Sequence, residues 1–254
     1  MKLSKEIAEK YFNIDNLKLA WKFINEADDP NYSIDKVGMY IFNENLIESL
    51  NSIHVELING KYEPSRPNKF YKPKKSSNSF AQRTITCLKI KDLIIYQSIA
   101  NIIAKENIKK LTKYNLKYNY GYLLNENAFK SIQKNKKNIT FYIPWKTTRK
   151  SYDSKLLELV KSNNYKIKTD INSFFDSILH QKLIDILSSE FNINPQVLKL
   201  LSLCLNKWSG TRDGGEFFGK GLPTGPSPSH FFSNIYLYNI DLDIIKKGFN
   251  YLRY

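Results

Sequence analysis

Eight consecutive residues, 165–172, alternate strictly between side chains that suit a protein core and side chains that suit water. The first set is Tyr165, Ile167, Thr169 and Ile171, and the second is Lys166, Lys168, Asp170 and Asn172. Successive side chains of a β-strand point to opposite faces. The alternation therefore predicts a strand with one core face and one solvated face, which ends where the pattern breaks into Ser-Phe-Phe-Asp at residues 173–176.

Helical spacing of apolar residues dominates the N-terminal part of the chain. It predicts helices across residues 3–59, closed by Asn59-Gly60, and a further helix opened by Asp92. Between them, the prolines of residues 61–79 predict extended segments and loop. The β-branched stretch from Arg83 to Leu88 predicts a strand.

Two further helices and a strand are predicted after residue 172. The buried stripe of the first helix is expected to contain Leu179, Leu183, Ile186 and Leu187. The second helix is expected to run from a cap at Pro228-Ser229 to about Ile245. A last strand is expected to begin at Phe249, and a soft domain boundary is expected near Asn163-Asn164.

Charge gives the first indication of a partner. The chain has 39 Lys and Arg against 24 Asp and Glu, for a net charge of +15, and its 42% hydrophobic content indicates a folded body. Such a basic body is typical of nucleic-acid binding. Residues 127–152 carry no acid but contain Phe141, Tyr142 and Trp145. Such a stretch suits phosphate attraction and base stacking, or alternatively a solvated loop over a core strand.

Other classes of protein are excluded by composition. Two distant cysteines, Cys87 and Cys204, exclude a disulfide scaffold and a thiolate zinc site and suit a reducing compartment. Three scattered histidines make a histidine metal site a poor hypothesis. No secretion signal or membrane-spanning apolar run is found, so a cytoplasmic location without a membrane partner is expected.

Three segments carry candidate chemistry, and each has a plainer alternative. Asp170 on the solvated strand face can hold a hard cation, with a backbone carbonyl such as that of Ile171, or it can pair with a neighbouring lysine. The loop from Gly221 to Ser229 can approach a ligand closely, or it can be a tight turn. Lys74 and Arg83 suit a triphosphate, or they are two exposed cations.

Taken together and in this order, these segments resemble the reverse transcriptase family. Residues 168–180, Lys-Thr-Asp-Ile-Asn-Ser-Phe-Phe-Asp-Ser-Ile-Leu-His, resemble its first palm motif. Residues 221–229, with Phe-Ser-Asn-Ile-Tyr-Leu at 232–237 and Asp241, resemble the second. The fingers motifs of the family resemble Pro73-Lys74, Arg83, Lys91-Asp92 and Asn119-Tyr-Gly-Tyr.

The resemblance implies an α+β, right-hand polymerase fold. Residues 1–60 would form a helical N-terminal extension, 61–164 the fingers, and 165–254 a partial palm with an antiparallel sheet and helices on one face. In this family, Tyr-Leu-Arg-Tyr leads into an x-Asp-Asp hairpin, and the given sequence stops before it. A fragment, a truncated gene product or a split enzyme that needs a partner is therefore expected, and the chain alone should be inactive and prone to aggregate.

The resemblance also implies residue roles. Asp170 would be the catalytic, metal-binding carboxylate, and Ile171 would help to bind the metal and the substrate. Phe175 would be the steric gate that excludes a ribose 2′-hydroxyl. Lys74 and Arg83 would contact the triphosphate, and Thr224 and Gly225 would line the nucleotide pocket. Asp176 and Asp241 are expected to be structural caps or pairs.

The implied activity is RNA-directed DNA synthesis, in which a primer 3′-hydroxyl attacks a dNTP with the help of two Mg²⁺ ions. The implied partners are an RNA template, a DNA or RNA primer, dNTPs and a cognate non-coding RNA. Many relatives have Gln where this chain has Thr224, and the Gly-Pro-x-x-Ser form most resembles bacterial antiphage enzymes of the abortive-infection and unknown-group kind. Two alternatives stay open: a non-catalytic RNA-binding scaffold and a template-independent, protein-primed DNA polymerase.

Overall fold

The computed structural model describes residues 3–26, 35–73, 82–130, 139–209 and 219–254. The described residues form helices and one two-stranded sheet. In chain order the elements are α1 (Lys5–Tyr11), α2 (Ile14–Asn25), α3 (Lys36–Glu44), α4 (Leu46–Ile58), β1 (Asn68–Pro73), β2 (Gln82–Cys87), α5 (Ile90–Thr112), α6 (Glu126–Lys130), α7 (Trp145–Ser162), α8 (Phe174–Ser177), α9 (His180–Ser189), α10 (Pro195–Trp208), α11 (Ser227–Tyr236) and α12 (Tyr238–Lys246).

The predicted N-terminal helices are confirmed as α1 to α4. Side chains at their starts accept backbone N–H hydrogen bonds, as Asn13 does from Asn16 at 3.0 Å and Asp35 from Gly38 at 2.8 Å. Helix α4 is followed by Asn59 and by Gly60, whose φ of +67° suits glycine. The predicted helix end at Asn59-Gly60 is thus correct.

Helix α5 lies at the centre of the molecule. Every residue from Asp92 to Ala104 is buried, so the helix is covered on all sides. It packs against α2, α10 and α11. Tyr96 stacks on Phe232 of α11 with ring centroids 5.2 Å apart and meets Trp208 of α10 edge to face at 5.1 Å. The core therefore joins the N-terminal helices to the C-terminal ones.

The sheet is an antiparallel hairpin of β1 and β2. Phe70 lies opposite Ile85, and Lys72 lies opposite Arg83. The predicted strand near residues 83–88 is confirmed as β2, and the proline-rich segment supplies its partner. The fold is thus rich in helix, with a small antiparallel sheet.

The strand predicted for residues 165–172 is wrong. Residues 165–171 belong to no helix or strand and are exposed, with Tyr165 at 91% and Ile167 at 90%. A strand needs neighbouring backbone groups to accept and donate its ladder hydrogen bonds, and no described strand pairs with this segment. An alternating sequence alone is therefore not sufficient to form one.

The strand predicted from Phe249 is also wrong, since residues 249–254 form only an isolated bridge. Tyr120 donates its N–H to the carbonyl of Arg253, and Arg253 donates to Tyr118, both at 2.8 Å. These bonds hold the segment against the turn after α5. The antiparallel palm sheet predicted for residues 165–254 therefore does not form within the described part of the chain.

Two details of the predicted C-terminal helices need correction. The helix predicted from residue 228 is broken at Leu237 into α11 and α12, and it begins at Ser227, so Ser229 is not its cap. Leu179 is 51% exposed and precedes α9, whereas Leu183, Ile186 and Leu187 are buried as predicted.

Candidate active site

The loop that precedes α11, from Gly221 to Pro226, which we call the glycine loop, is held in place by contacts with the core. Gly221 and Gly225 have φ of +95° and +128°, values that L side chains rarely adopt. The hydroxyl of Ser229, itself fully buried, donates to the carbonyl of Pro223 at 2.6 Å and lies 3.1 Å from the hydroxyl of Tyr96 in α5. The loop is thus held rigidly against the central helix.

The same loop is tied to the predicted gate residue. The N–H of Leu222 donates to the carbonyl of Phe175 at 2.9 Å, and the N–H of Gly221 donates to the carbonyl of Ile178 at 2.8 Å. A ring nitrogen of His180 lies 2.7 Å from the carbonyl of Gly221. These bonds place the turn of α8, which carries Phe175, directly beside the glycine loop.

The β-hairpin joins this arrangement from the other side. The N–H of Thr86 in β2 donates to the carbonyl of Thr224 at 2.7 Å. Arg83 lies on the same strand and is exposed. Three segments that are distant in sequence, namely the hairpin, the α8 turn and the glycine loop, are thus connected through main-chain hydrogen bonds.

Basic charge lies close to the α8 turn. Burial lowers the pKa of Lys69 in β1, while the nearby carboxylate of Asp176 acts to raise it and Arg66 to lower it further. The carboxylate of Asp176 is thus close enough to β1 to affect the charge of Lys69. Together with Arg83 of β2, Lys69 gives the hairpin positive charge that suits an anionic ligand.

A stacked pair of aromatic rings lies beside Phe175. His230 of α11 stacks on Tyr122 with ring centroids 3.6 Å apart and planes 7° from parallel. The ring of Phe175 meets the same His230 ring edge to face at 5.3 Å. From the sequence, Tyr122 was recognised only as part of a fingers motif, and His230 only as one of three scattered histidines. Their contact could not be predicted, because only the fold brings the two positions together.

Asp170 and Ile171 stand apart from these contacts, in the exposed segment before α8. Asp170 is exposed and Ile171 is 51% exposed. Within the described ranges, no group of three His, Cys, Asp or Glu side chains is placed to hold a metal ion. The described residues therefore do not complete a two-ion site, although an exposed carboxylate is a suitable cation ligand.

Lys74, the other predicted phosphate contact, lies outside the described residues. Asp241 accepts hydrogen bonds from Arg253 Nε at 3.0 Å and Nη2 at 2.7 Å, and another from the hydroxyl of Tyr251 at 2.9 Å. This arrangement agrees with the structural role that was expected of Asp241.

Residues 131–138 of the basic stretch predicted for nucleic-acid binding lie outside the described residues, and the three aromatic residues named for it differ in exposure. Phe141 is buried, and the Tyr142 hydroxyl donates to the carbonyl of Ser227 at 2.8 Å, so both rings belong to the protein interior. Trp145 at the start of α7 is 60% exposed, close to the exposed cations Lys146 and Arg149. Of the three aromatic residues, only Trp145 is available for stacking on a base.

Comparison with known proteins adds family information to this geometry. A family model described as reverse transcriptase (RNA-dependent DNA polymerase) matches residues 73–254. An uncharacterized 91 kDa protein in a cob intron of Schizosaccharomyces pombe (strain 972 / ATCC 24843) is 34% identical over 87 residues, which are 34% of this chain and 11% of that protein.

Solved structures share the fold. Chains of a partial Cas6-RT-Cas1–Cas2 complex and of a Cas6-RT-Cas1–Cas2 complex both superpose with a TM-score of 0.52 at 17% identity. Each match covers 94% of this chain, but 35% and 22% of the respective solved chains. The chain thus spans about a third or less of the length of these relatives. None of the helices within the described ranges is long and apolar enough to cross a membrane.

Proposed function

Because this chain belongs to the reverse transcriptase (RNA-dependent DNA polymerase) family of nucleotidyltransferases, we propose that it forms the nucleotide-binding part of an RNA-directed DNA polymerase. Residues 1–60 are a helical extension, residues 61–164 are the fingers and residues 165–254 are part of the palm. The substrates are dNTPs, a primer and an RNA template.

One observation carries this proposal: main-chain hydrogen bonds unite the three motif segments. Leu222 bonds to Phe175, and Thr86 bonds to Thr224, at 2.9 and 2.7 Å. A dNTP presents a triphosphate, a sugar and a base to its site, and these segments supply cations, an aromatic ring and close-approaching backbone. A binding site for one nucleotide among them accounts for why such distant segments meet.

Each residue has a role in this site. The primer 3′-hydroxyl attacks the α-phosphorus of the dNTP, a new P–O bond forms, and pyrophosphate leaves. Lys74 and Arg83 bind the triphosphate as cations. Phe175 lies against the sugar and excludes a 2′-hydroxyl, while Thr224 and Gly225 line the pocket beside the primer end. These groups position the reactants, which is a large part of catalysis in phosphoryl transfer.

Divalent cations, expected to be Mg²⁺, supply charge stabilisation to this chemistry when bound. Asp170 and the carbonyl of Ile171 are the ligands that this chain offers. Within the described residues, no group of three His, Cys, Asp or Glu side chains is placed to join them.

The biological setting belongs to the same proposal. The solved chains of similar fold belong to Cas6-RT-Cas1–Cas2 complexes, which supports the existence of protein partners. A role in antiphage defence together with a cognate RNA is part of the same proposal. A net charge of +15 suits a nucleic-acid partner, and the cytoplasm is the expected location.

Primer extension by the full-length protein tests the proposed function. A primed RNA of defined sequence is supplied with all four dNTPs and Mg²⁺, and the product is sequenced, with a parallel reaction in which RNase removes the template first. We expect complementary DNA that disappears with the template. Product that survives template removal would establish template-independent synthesis instead, and RNA binding without any incorporation would establish a non-catalytic scaffold.

A further inference from the structure

Three aromatic residues that are distant in sequence form what we call the gate cluster: Tyr122 in the segment between α5 and α6, Phe175 in α8 and His230 in α11. His230 and Tyr122 are stacked almost in parallel, with centroids 3.6 Å apart, and the ring of Phe175 lies at 74° to the His230 ring at 5.3 Å. Phe175 therefore rests against the ring of His230, which forms a stacked two-ring platform with Tyr122.

The platform itself is held firmly by α11. His230 and Asn234 are four residues apart, so their side chains lie on one face of the helix. The amide of Asn234 donates to the carbonyl of Gly121 at 3.0 Å and to that of Tyr122 at 3.3 Å. One face of α11 thus fixes both the backbone and the ring of Tyr122, whose φ of +49° is uncommon for an aromatic residue.

The platform is also connected to the glycine loop. Tyr122 meets Tyr142 edge to face at 5.5 Å, and the Tyr142 hydroxyl donates to the carbonyl of Ser227, the first residue of α11. On the opposite side, the carbonyl of Phe175 accepts the N–H of Leu222. The backbone of Phe175 is therefore held by the loop that leads into α11, and its ring is held by His230 within α11.

We propose that His230, stacked on Tyr122, is a positioning residue that holds Phe175 in place for sugar selection. This inference rests on the proposed function, in which Phe175 blocks a ribose 2′-hydroxyl. A steric block discriminates only if the blocking ring cannot yield, because a ring that turns aside admits the extra oxygen. His230 thus affects the choice between dNTP and rNTP without touching either nucleotide.

The size of the effect follows from the contact. An edge-to-face aromatic pair stabilises its geometry by an amount that corresponds to roughly three- to tenfold in an equilibrium. Loss of the His230 ring should therefore lower the preference for dNTP over rNTP by about three- to tenfold. The loss should appear mainly as faster rNTP incorporation, since only the rNTP carries the 2′-hydroxyl that the ring blocks.

The test measures kcat/KM for a dNTP and for the matching rNTP on a primed RNA, using the full-length protein. The variants are Phe175→Ala, His230→Ala, His230→Phe and Tyr122→Ala, with His54→Ala as a matched histidine control. His54 lies in α4, where its ring contacts the carbonyl of Phe12 at 2.9 Å. We expect reduced selectivity in His230→Ala and Tyr122→Ala, recovery of most of it in His230→Phe, and unchanged selectivity in His54→Ala.

Two outcomes overturn the inference and are distinguishable from each other. If Phe175→Ala lowers selectivity but His230→Ala and Tyr122→Ala do not, the platform has no positioning role while the gate stands. If Phe175→Ala leaves selectivity unchanged, the gate assignment in the proposed function fails together with the inference.

The ratio of the two kcat/KM values is unaffected by partial unfolding, because both nucleotides are tested on the same folded fraction. Tyr122→Ala removes the stack without altering α11, should His230→Ala fail to fold.

Discussion

At the scale of single residues, the pair formed by Arg253 and Asp241 fastens residues 251–254 to the molecule. Their side chains are only 15% and 14% exposed. Asp241→Ala leaves a largely buried guanidinium without its carboxylate, and we expect the free energy of unfolding to fall by about 3–5 kcal/mol. Urea titration measures the loss.

Asp153→Ala is the matched control for that prediction. It breaks another Arg–Asp contact, between Arg149 and Asp153 at 3.0 Å, whose side chains are 51% and 49% exposed. Solvent screens such a pair, so the control should leave stability almost unchanged. Equal effects of the two substitutions would contradict the structural role assigned to Asp241.

The sequence predicted the contacts of some single residues but not of others. Asp241 was expected to form a structural cap or pair, and its hydrogen bonds with Arg253 and Tyr251 agree with that expectation. No sequence pattern indicated that His230 stacks on Tyr122. A ring contact between distant positions exists only once α11 and the segment after α5 are packed together. Residue type predicts what a side chain can do, but packing decides which partner it meets.

At the scale of elements, helices were predicted well because their hydrogen bonds are local. The apolar spacing of α4, α5 and α9 is visible within a few turns, and the structure confirms these helices. The segment at residues 165–171 has an equally clear pattern but depends on backbone partners elsewhere. Its exposed apolar positions, Tyr165 and Ile167, are the physical consequence.

We therefore predict that replacing both Tyr165 and Ile167 by Ser reduces aggregation of residues 1–254 without lowering their free energy of unfolding. Exposed apolar side chains promote association but contribute little to folding. Light scattering and urea titration measure the two effects. As the control, Ile186→Ala in the core should cost about 2–5 kcal/mol. Destabilisation by the double serine variant would mean that the segment is packed in solution.

The contact between α5 and the chain before β1 predicts a dependence on pH. Asp92 is fully buried and accepts hydrogen bonds from the Tyr62 hydroxyl at 2.9 Å and from the Ser65 N–H at 3.0 Å. Burial raises the pKa of Asp92, and the hydrogen bonds from Tyr62 and Ser65 oppose that rise. The protonated carboxyl is thus favoured in the folded state relative to the unfolded state.

Asp92 should therefore stabilise the fold more at acidic pH than at neutral pH. The contribution of Asp92 to stability is fully present below the unfolded pKa of 3.8 and is lost as the pH rises through the raised folded pKa. The difference in unfolding free energy between wild type and Asp92→Asn should therefore decrease as the pH rises from about 4 toward neutral. Urea titrations across this range measure it, and a difference that grows with pH would contradict the assignment.

At the scale of the whole molecule, motif order was sufficient to predict the family, and the match over residues 73–254 confirms it. The architecture was harder to predict. Helix α5 is buried without interruption from Asp92 to Ala104, which reflects its central position. The predicted palm sheet does not form among the described residues. The glycine loop, the α8 turn and the hairpin meet through main-chain hydrogen bonds, which side-chain chemistry in a sequence does not encode.

The central claim, that this chain supplies the catalytic carboxylate of an RNA-directed DNA polymerase, is tested most directly by comparing Asp170→Ala with Asp185→Ala in the full-length protein. Asp185 is an exposed aspartate of α9 that accepts a hydrogen bond from Gln181. Single-turnover dNTP incorporation on primed RNA is measured with Mg²⁺. We predict a loss on the order of 10²–10³-fold or more for Asp170→Ala and wild-type incorporation for Asp185→Ala. Wild-type incorporation by Asp170→Ala would contradict the account.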